Sequence, residues 1–148
     1  MENRKLKHVL SLDAEARAII ERDALEIFPD ECCGFLFGEE IGGIRYITIA
    51  QTVINHKLGD KRRRFEIEPV DYMRAERFAD ENKLQLLGVY HSHPLHPAVP
   101  SEHDRVAAVP FFSYIITSIF PDQEQVIRSW RLNDSEQFEE EEIIFKIV

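Results

Sequence analysis

The sequence is short of cysteine, of basic charge and of long apolar runs, and each shortage excludes something. Its 148 residues hold two cysteines, adjacent at Cys32-Cys33, and such a pair cannot build a disulfide framework. A reducing compartment suits that usage. No apolar stretch approaches the roughly 20 residues of a membrane-spanning helix, and the opening Met-Glu-Asn-Arg-Lys-Leu-Lys has no apolar signal-peptide core. The expected localisation is therefore cytoplasmic, with no membrane partner. Lys and Arg number 18 against 27 Asp and Glu, a net charge of −9, which argues against general binding to nucleic acid or to an anionic membrane.

What is present is the composition of an ordinary globular protein, 44% hydrophobic and 30% charged. One domain, 1–148, is expected, large enough to bury a core without covalent or metal staples. Residues 5–11 read as a short first strand. From about Leu12 to Phe28, the residues Ala16, Ile19, Ile20, Ala24 and Ile27 recur at three- and four-residue steps, the stripe of an amphipathic helix. Ser11 or Asp13 can cap its start and Pro29 ends it. Cys33 to Gly38 reads as a buried strand, Glu39 to Gly43 as a turn, and Ile44 to Val53 as the second arm of a hairpin.

Residues 55–63 form a polar loop that runs into Lys61-Arg62-Arg63-Arg64. That basic run is either a solvated edge or a means of steering an acidic protein partner. Phe65-Glu66-Ile67 alternates as a short strand, and Pro69 opens a helix to about Asn82. Leu84 to Tyr90 is a strand, 94–100 a loop stiffened by three prolines, and Ser101 to Val109 a helix. Phe111 to Phe120, Gln125 to Leu132 and Glu142 to Val148 read as the remaining strands, with Glu139 to Glu142 as the loop feeding the last. One mixed β-sheet flanked by helices, an α/β fold, fits this order.

The chemistry concentrates in Gly88-Val89-Tyr90-His91-Ser92-His93-Pro94 and the later Ser101-Glu102-His103-Asp104. Residues two apart on a strand share a face, so His91 and His93 present both imidazoles to one point, and Asp104 can add a carboxylate from the following helix. Two His and one carboxylate leave a tetrahedral Zn²⁺ with one open position, which is the composition of a catalytic site. Ser92 faces the other way and is structural. Ser101 is placed as a helix N-cap, and Asp104 in the first turn suits the helix dipole. His-x-His alone is also common on exposed strands. Metallo-β-lactamase-like hydrolases need an acid where this chain has Leu95, (β/α)₈ amidohydrolases need on the order of 250 residues, and no His-Glu-x-x-His is present.

The full pattern is His91-x-His93-Pro94, six residues, Ser101, two residues, Asp104. It resembles the signature of the JAMM/MPN+ (Mov34) zinc metalloproteases, with short bacterial stand-alone members the nearest in length and element order. The resemblance implies a partly barrel-like mixed sheet, one catalytic zinc held by His91, His93 and Asp104, and catalytic roles for Glu31 and Ser101. Glu31, in Pro29-Asp30-Glu31-Cys32-Cys33-Gly34, fits the family's upstream glutamate as general base, and Ser101 would help hold an oxyanion. The implied activity is amide or isopeptide hydrolysis after the C-terminal Gly-Gly of a ubiquitin-like sulfur-carrier protein. Two other functions are compatible with the residues: a non-catalytic MPN-type binding module, and a zinc hydrolase of a small-molecule amide. Cys32 and Cys33 are expected as small buried hydrophobes and not as thiolate ligands. His8, His56, His96 and His103 lie outside the ligand pattern.

Overall fold

The computed structural model describes residues 7–147. Its strands close into a barrel ordered β1-β3-β2-β4-β5-β6-β7. These are β1 (Val9–Leu12), β2 (Cys33–Ile41), β3 (Ile44–Val53), β4 (Gln85–Pro94), β5 (Ser113–Ile119), β6 (Val126–Leu132) and β7 (Phe138–Phe145). Three helices flank it: α1 (Ala14–Ile27), α2 (Pro69–Glu81) and α3 (Glu102–Ala107). The mixed sheet read from the sequence is thus present and fully closed. Closure falls to β1, which pairs in parallel with β3 on one side and β7 on the other. No helix among the described residues is long and apolar enough to cross a membrane.

The two faces of the sheet carry different packing. Leu36, Tyr90 and Ile115 meet Ala16, Ile20 and Ala24 of α1. Phe35, Phe37 and Val89 meet Ala75 and Ala79 of α2. Strand alternation sorts neighbours between these faces, so Tyr90 goes with α1 while Val89, and two residues on His91, go with α2. The α1 stripe differs from the expected one at two positions. Ile27 is exposed, and Asp23 is buried instead, accepting a hydrogen bond of 2.8 Å from the Tyr90 hydroxyl. Burial pushes the Asp23 carboxyl above its ordinary value, although the Tyr90 hydroxyl works against the rise.

Several boundaries move for identifiable reasons. The first strand runs through Leu12, taking the residue assigned to the start of α1, because β1 must pair with two neighbours; residues 5 and 6 of the expected strand lie outside the described residues. Asp13 occupies the α1 N-cap position without a side-chain cap bond. The β2–β3 turn is only Gly42-Gly43, both at positive φ, the conformation short hairpin turns require. Residues 65–67 are not a strand: the Glu66 N–H is taken by Asn55 Oδ1 at 3.1 Å. Phe111, at φ 72°, cannot begin β5. Glu139 to Glu142 is not a loop but part of β7, where Arg128 grips Glu140 through two hydrogen bonds of 2.8 and 2.9 Å. Opposite charges facing each other across β6 and β7 make an acidic tract a workable strand. The last residue of the expected final strand, Val148, lies outside the described residues.

Candidate functional site

Strand β4 runs on through both histidines and is covered on either side, His91 standing opposite Cys33 of β2 and Ile116 of β5. This position leaves His91 1% and His93 8% exposed. His91 lies flat against Phe65, with ring centroids 4.5 Å apart, and the two imidazoles sit 5.0 Å from each other. Ser92 points to the opposite side, as expected, and its hydroxyl oxygen accepts from the Cys32 N–H at 2.8 Å. That bond ties β4 to the segment carrying Glu31.

Asp104 arrives from α3. The Ser101 hydroxyl accepts from the Asp104 N–H at 3.0 Å while Asp104 Oδ2 accepts from the Ser101 N–H at 2.8 Å, a reciprocal cap. The cap fixes the carboxylate where it also approaches both histidines: Oδ2 is 3.2 Å from His93 Nε2 and Oδ1 is 3.9 Å from His91 Nε2. Glu31, remote in sequence, enters because β2 pairs with β4. Its Oε1 lies 3.4 Å from His91 Nδ1. The Glu31 backbone is pinned to the 55–66 loop, its N–H donating to Lys61 O at 2.7 Å and its carbonyl accepting from Asn55 Nδ2 at 3.0 Å.

Polar atoms here face one another with too few protons between them. His93 Nδ1 donates to the Pro97 carbonyl at 2.9 Å, since a carbonyl can only accept. In the neutral ring Nε2 is then a bare lone pair turned toward a carboxylate. Both ring nitrogens of His91 and Glu31 Oε1 are buried without a hydrogen-bond partner, an arrangement that proteins ordinarily avoid. Burial alone would lower the His93 pKa and raise that of Asp104. The facing charges and hydrogen bonds outweigh it in both, raising His93 and holding Asp104 well below the usual carboxylate range. A divalent cation would satisfy the same donors, and outer bonds such as His93 to Pro97 orient metal-binding imidazoles. Glu31, His91 and His93 each offer a ligand atom within 4.8 Å of the others. Asp104 falls outside that tight trio, yet its two oxygens lie 3.9 and 3.2 Å from the Nε2 atoms of His91 and His93.

All five residues singled out in the sequence therefore meet at one place. Cys32 and Cys33 are buried, and burial pushes the Cys33 thiol up to about 12 and Cys32 higher still, so neither is a thiolate at neutral pH. His96 and His103 line the site's surroundings. His8 and His56 lie elsewhere, His56 between Glu68 and Asp71 at 3.7 and 3.6 Å. Three contributors had no mark in the sequence: Phe65 against His91, the Pro97 carbonyl, and Asn55.

Two cavities meet at the site. One, about 460 Å³, is lined by Phe65, Ile67, Tyr72, His91, Asp104 and Ala107 among others. The second, about 830 Å³, is lined by Glu31, Arg63, Arg64, His93, Ser101 and Glu102 among others. A further cavity of about 500 Å³ between α1 and the β5–β6 turn shares no residue with them.

Comparison with known proteins places the chain among relatives of one family. The profile of prokaryotic homologs of the JAB domain matches residues 13–133. A desampylase of Haloferax volcanii is 33% identical over 126 residues, covering 82% of this chain and 87% of that protein. A desampylase of Pyrococcus furiosus is 31% identical over 74 residues, about half of each chain at 50% and 49%. Among solved structures, a Desulfitobacterium hafniense protein in solution superposes with a TM-score of 0.83 at 30% identity, covering 93% of this chain and 92% of that one. A Salinibacter ruber protein gives 0.68 at 30% identity with the same coverage of 93% and 92%.

Proposed function

We propose that this chain, which belongs to the family of prokaryotic JAB-domain homologues, is a zinc-dependent hydrolase that cuts the amide or isopeptide bond after the Gly-Gly terminus of a ubiquitin-like sulfur-carrier protein. The observation that carries the proposal is the buried convergence of His91, His93 and Asp104 with Glu31 beside them, both His91 ring nitrogens and Glu31 Oε1 having no hydrogen-bond partner. The names of the two desampylase relatives support a ubiquitin-like substrate.

His91, His93 and Asp104 would hold the ion. A zinc ion there supplies Lewis acidity, lowering the pKa of water toward neutrality and polarising the scissile carbonyl. Glu31 takes the proton of the attacking water and returns it to the departing nitrogen, one carboxylate serving both transfers. Ser101, whose oxygen is occupied as an acceptor by the Asp104 N–H, keeps its O–H to donate to the oxyanion that forms as the carbonyl is attacked. Phe65 covers His91 and keeps bulk water from that side of the imidazole. Cleavage of a Gly-Gly-terminated fusion, followed by mass spectrometry, tests the reading. Stoichiometric zinc and cleavage lowered about 10²–10⁴-fold in Glu31→Gln are expected. Tight partner binding indifferent to chelator, with no cleavage, would favour the non-catalytic module.

A further inference from the structure

We propose that Arg63 and Arg64 form an anion subsite on the leaving-group side of the centre, so that the preferred leaving group is an α-amino acid with a free carboxylate. This rests on the hydrolase reading above. The centre lies between two unlike cavities. The Asp104 side is walled by Phe65, Ile67, Tyr72 and Ala107, which suits an uncharged tail. The other side holds Glu31 together with Arg63 and Arg64. Because Glu31 gives the proton to the departing nitrogen, that nitrogen leaves on the side of the two arginines.

The charges on that side are available. The Arg64 guanidinium has no hydrogen bond or ion pair among the described residues. Arg63 has only Asp60, at 3.9 Å, and is 78% exposed. Glu102, the other acid lining the cavity, is engaged through both carboxylate oxygens by Arg105, so it does not cancel them. An unpaired Arg64 and an Arg63 held only by Asp60, lining one cavity with Glu31, run against the trend of a chain with net charge −9. The backbone that carries Arg64 is also tied to that of Glu31. The same Asn55 amide that donates to Glu31 O donates to Arg64 O at 3.1 Å, and Lys61 O takes the Glu31 N–H. An amine bearing an α-carboxylate brings its negative charge within a few bonds of the nitrogen, and a guanidinium fork matches that group. A lysine side-chain amine or a carboxamide lacks it.

The test uses a peptide ending Gly-Gly-Ala, made as the free acid and as the carboxamide, with the zinc-loaded full-length protein. The acid should be cleaved with kcat/KM at least about tenfold higher, the size of one charge-assisted contact. That ratio should fall to about twofold or less in Arg63→Ala/Arg64→Ala, recover in the double Lys variant and invert in the double Glu variant. Equal turnover of the two peptides by the wild type, or a ratio unmoved by the double Ala substitution, overturns the subsite. Binding of the same pair to Glu31→Gln protein, followed by NMR, separates the two proposals. If nothing is cleaved but the acid still binds more tightly only when both arginines are present, the subsite stands and the hydrolase reading falls. Equal binding of acid and amide removes the subsite.

Discussion

Asp104 caps α3 and is the proposed third metal ligand, two roles that a single substitution can pull apart. As the reciprocal cap of α3 it needs only an acceptor oxygen, which asparagine retains. As a ligand beside two imidazoles it needs charge. Asp104→Asn should therefore change thermal stability by less than about 1 kcal/mol while sharply weakening metal retention, as read by competition with a chromogenic chelator; unchanged retention would remove it from the ligand set. Asp23 poses the opposite problem, a buried carboxylate with no place in the proposed reaction. Its folded pKa is raised by burial, so the native state binds that proton more tightly than the unfolded chain does. Stability from this group is greatest below the unfolded value of about 3.9 and is lost as pH rises through the higher folded value. Urea unfolding across pH 4 to 7 should show Asp23→Asn gaining on the wild type as pH rises. Tyr90→Phe, which strips the carboxylate of its donor, should cost about 1–3 kcal/mol at neutral pH.

Among the elements, the 55–66 loop does most to complete the site and was the least legible. Asn55 accepts from the Lys57 and Glu66 N–H groups and donates to Glu31 and Arg64 carbonyls, so one buried amide replaces a strand ladder. Asn55→Ala should leave these partners unmatched, lower the midpoint of thermal unfolding and open the loop to proteolysis. Limited trypsin digestion at Arg62, Arg63 and Arg64 should accelerate, and an unchanged cleavage rate would count against the clamp. The strands and helices around this loop were largely readable because periodicity records burial. His91, His93, Ser101 and Asp104 were readable because their spacing is local. Glu31 was reachable only through the family resemblance, since no spacing rule announces that β2 will lie against β4. The failures share a cause. Phe65-Glu66-Ile67 alternates like a strand, but Glu66 gives its N–H to the Asn55 side chain and its carbonyl to the His56 N–H, and Glu139 to Glu142 looks like a solvated tract until the arginines of β6 stand opposite.

For the molecule as a whole, the hydrophobic clusters on either face of the barrel are complete without any ion. Chelation, or His93→Ala, should therefore abolish activity and zinc binding and leave the far-UV circular dichroism spectrum unchanged; collapse of that spectrum would mean that the metal holds the fold. Bound metal should still raise the unfolding temperature by mass action, since it binds only the native arrangement. One consequence belongs to β1, the four-residue strand wedged between β3 and β7. Everything that would grip the ion is encoded between residues 31 and 104, yet the cylinder has a gap until Phe138–Phe145 has left the ribosome. A nascent chain can thus gather its reactive side chains early, but it stays unsealed until β7 has emerged to meet β1.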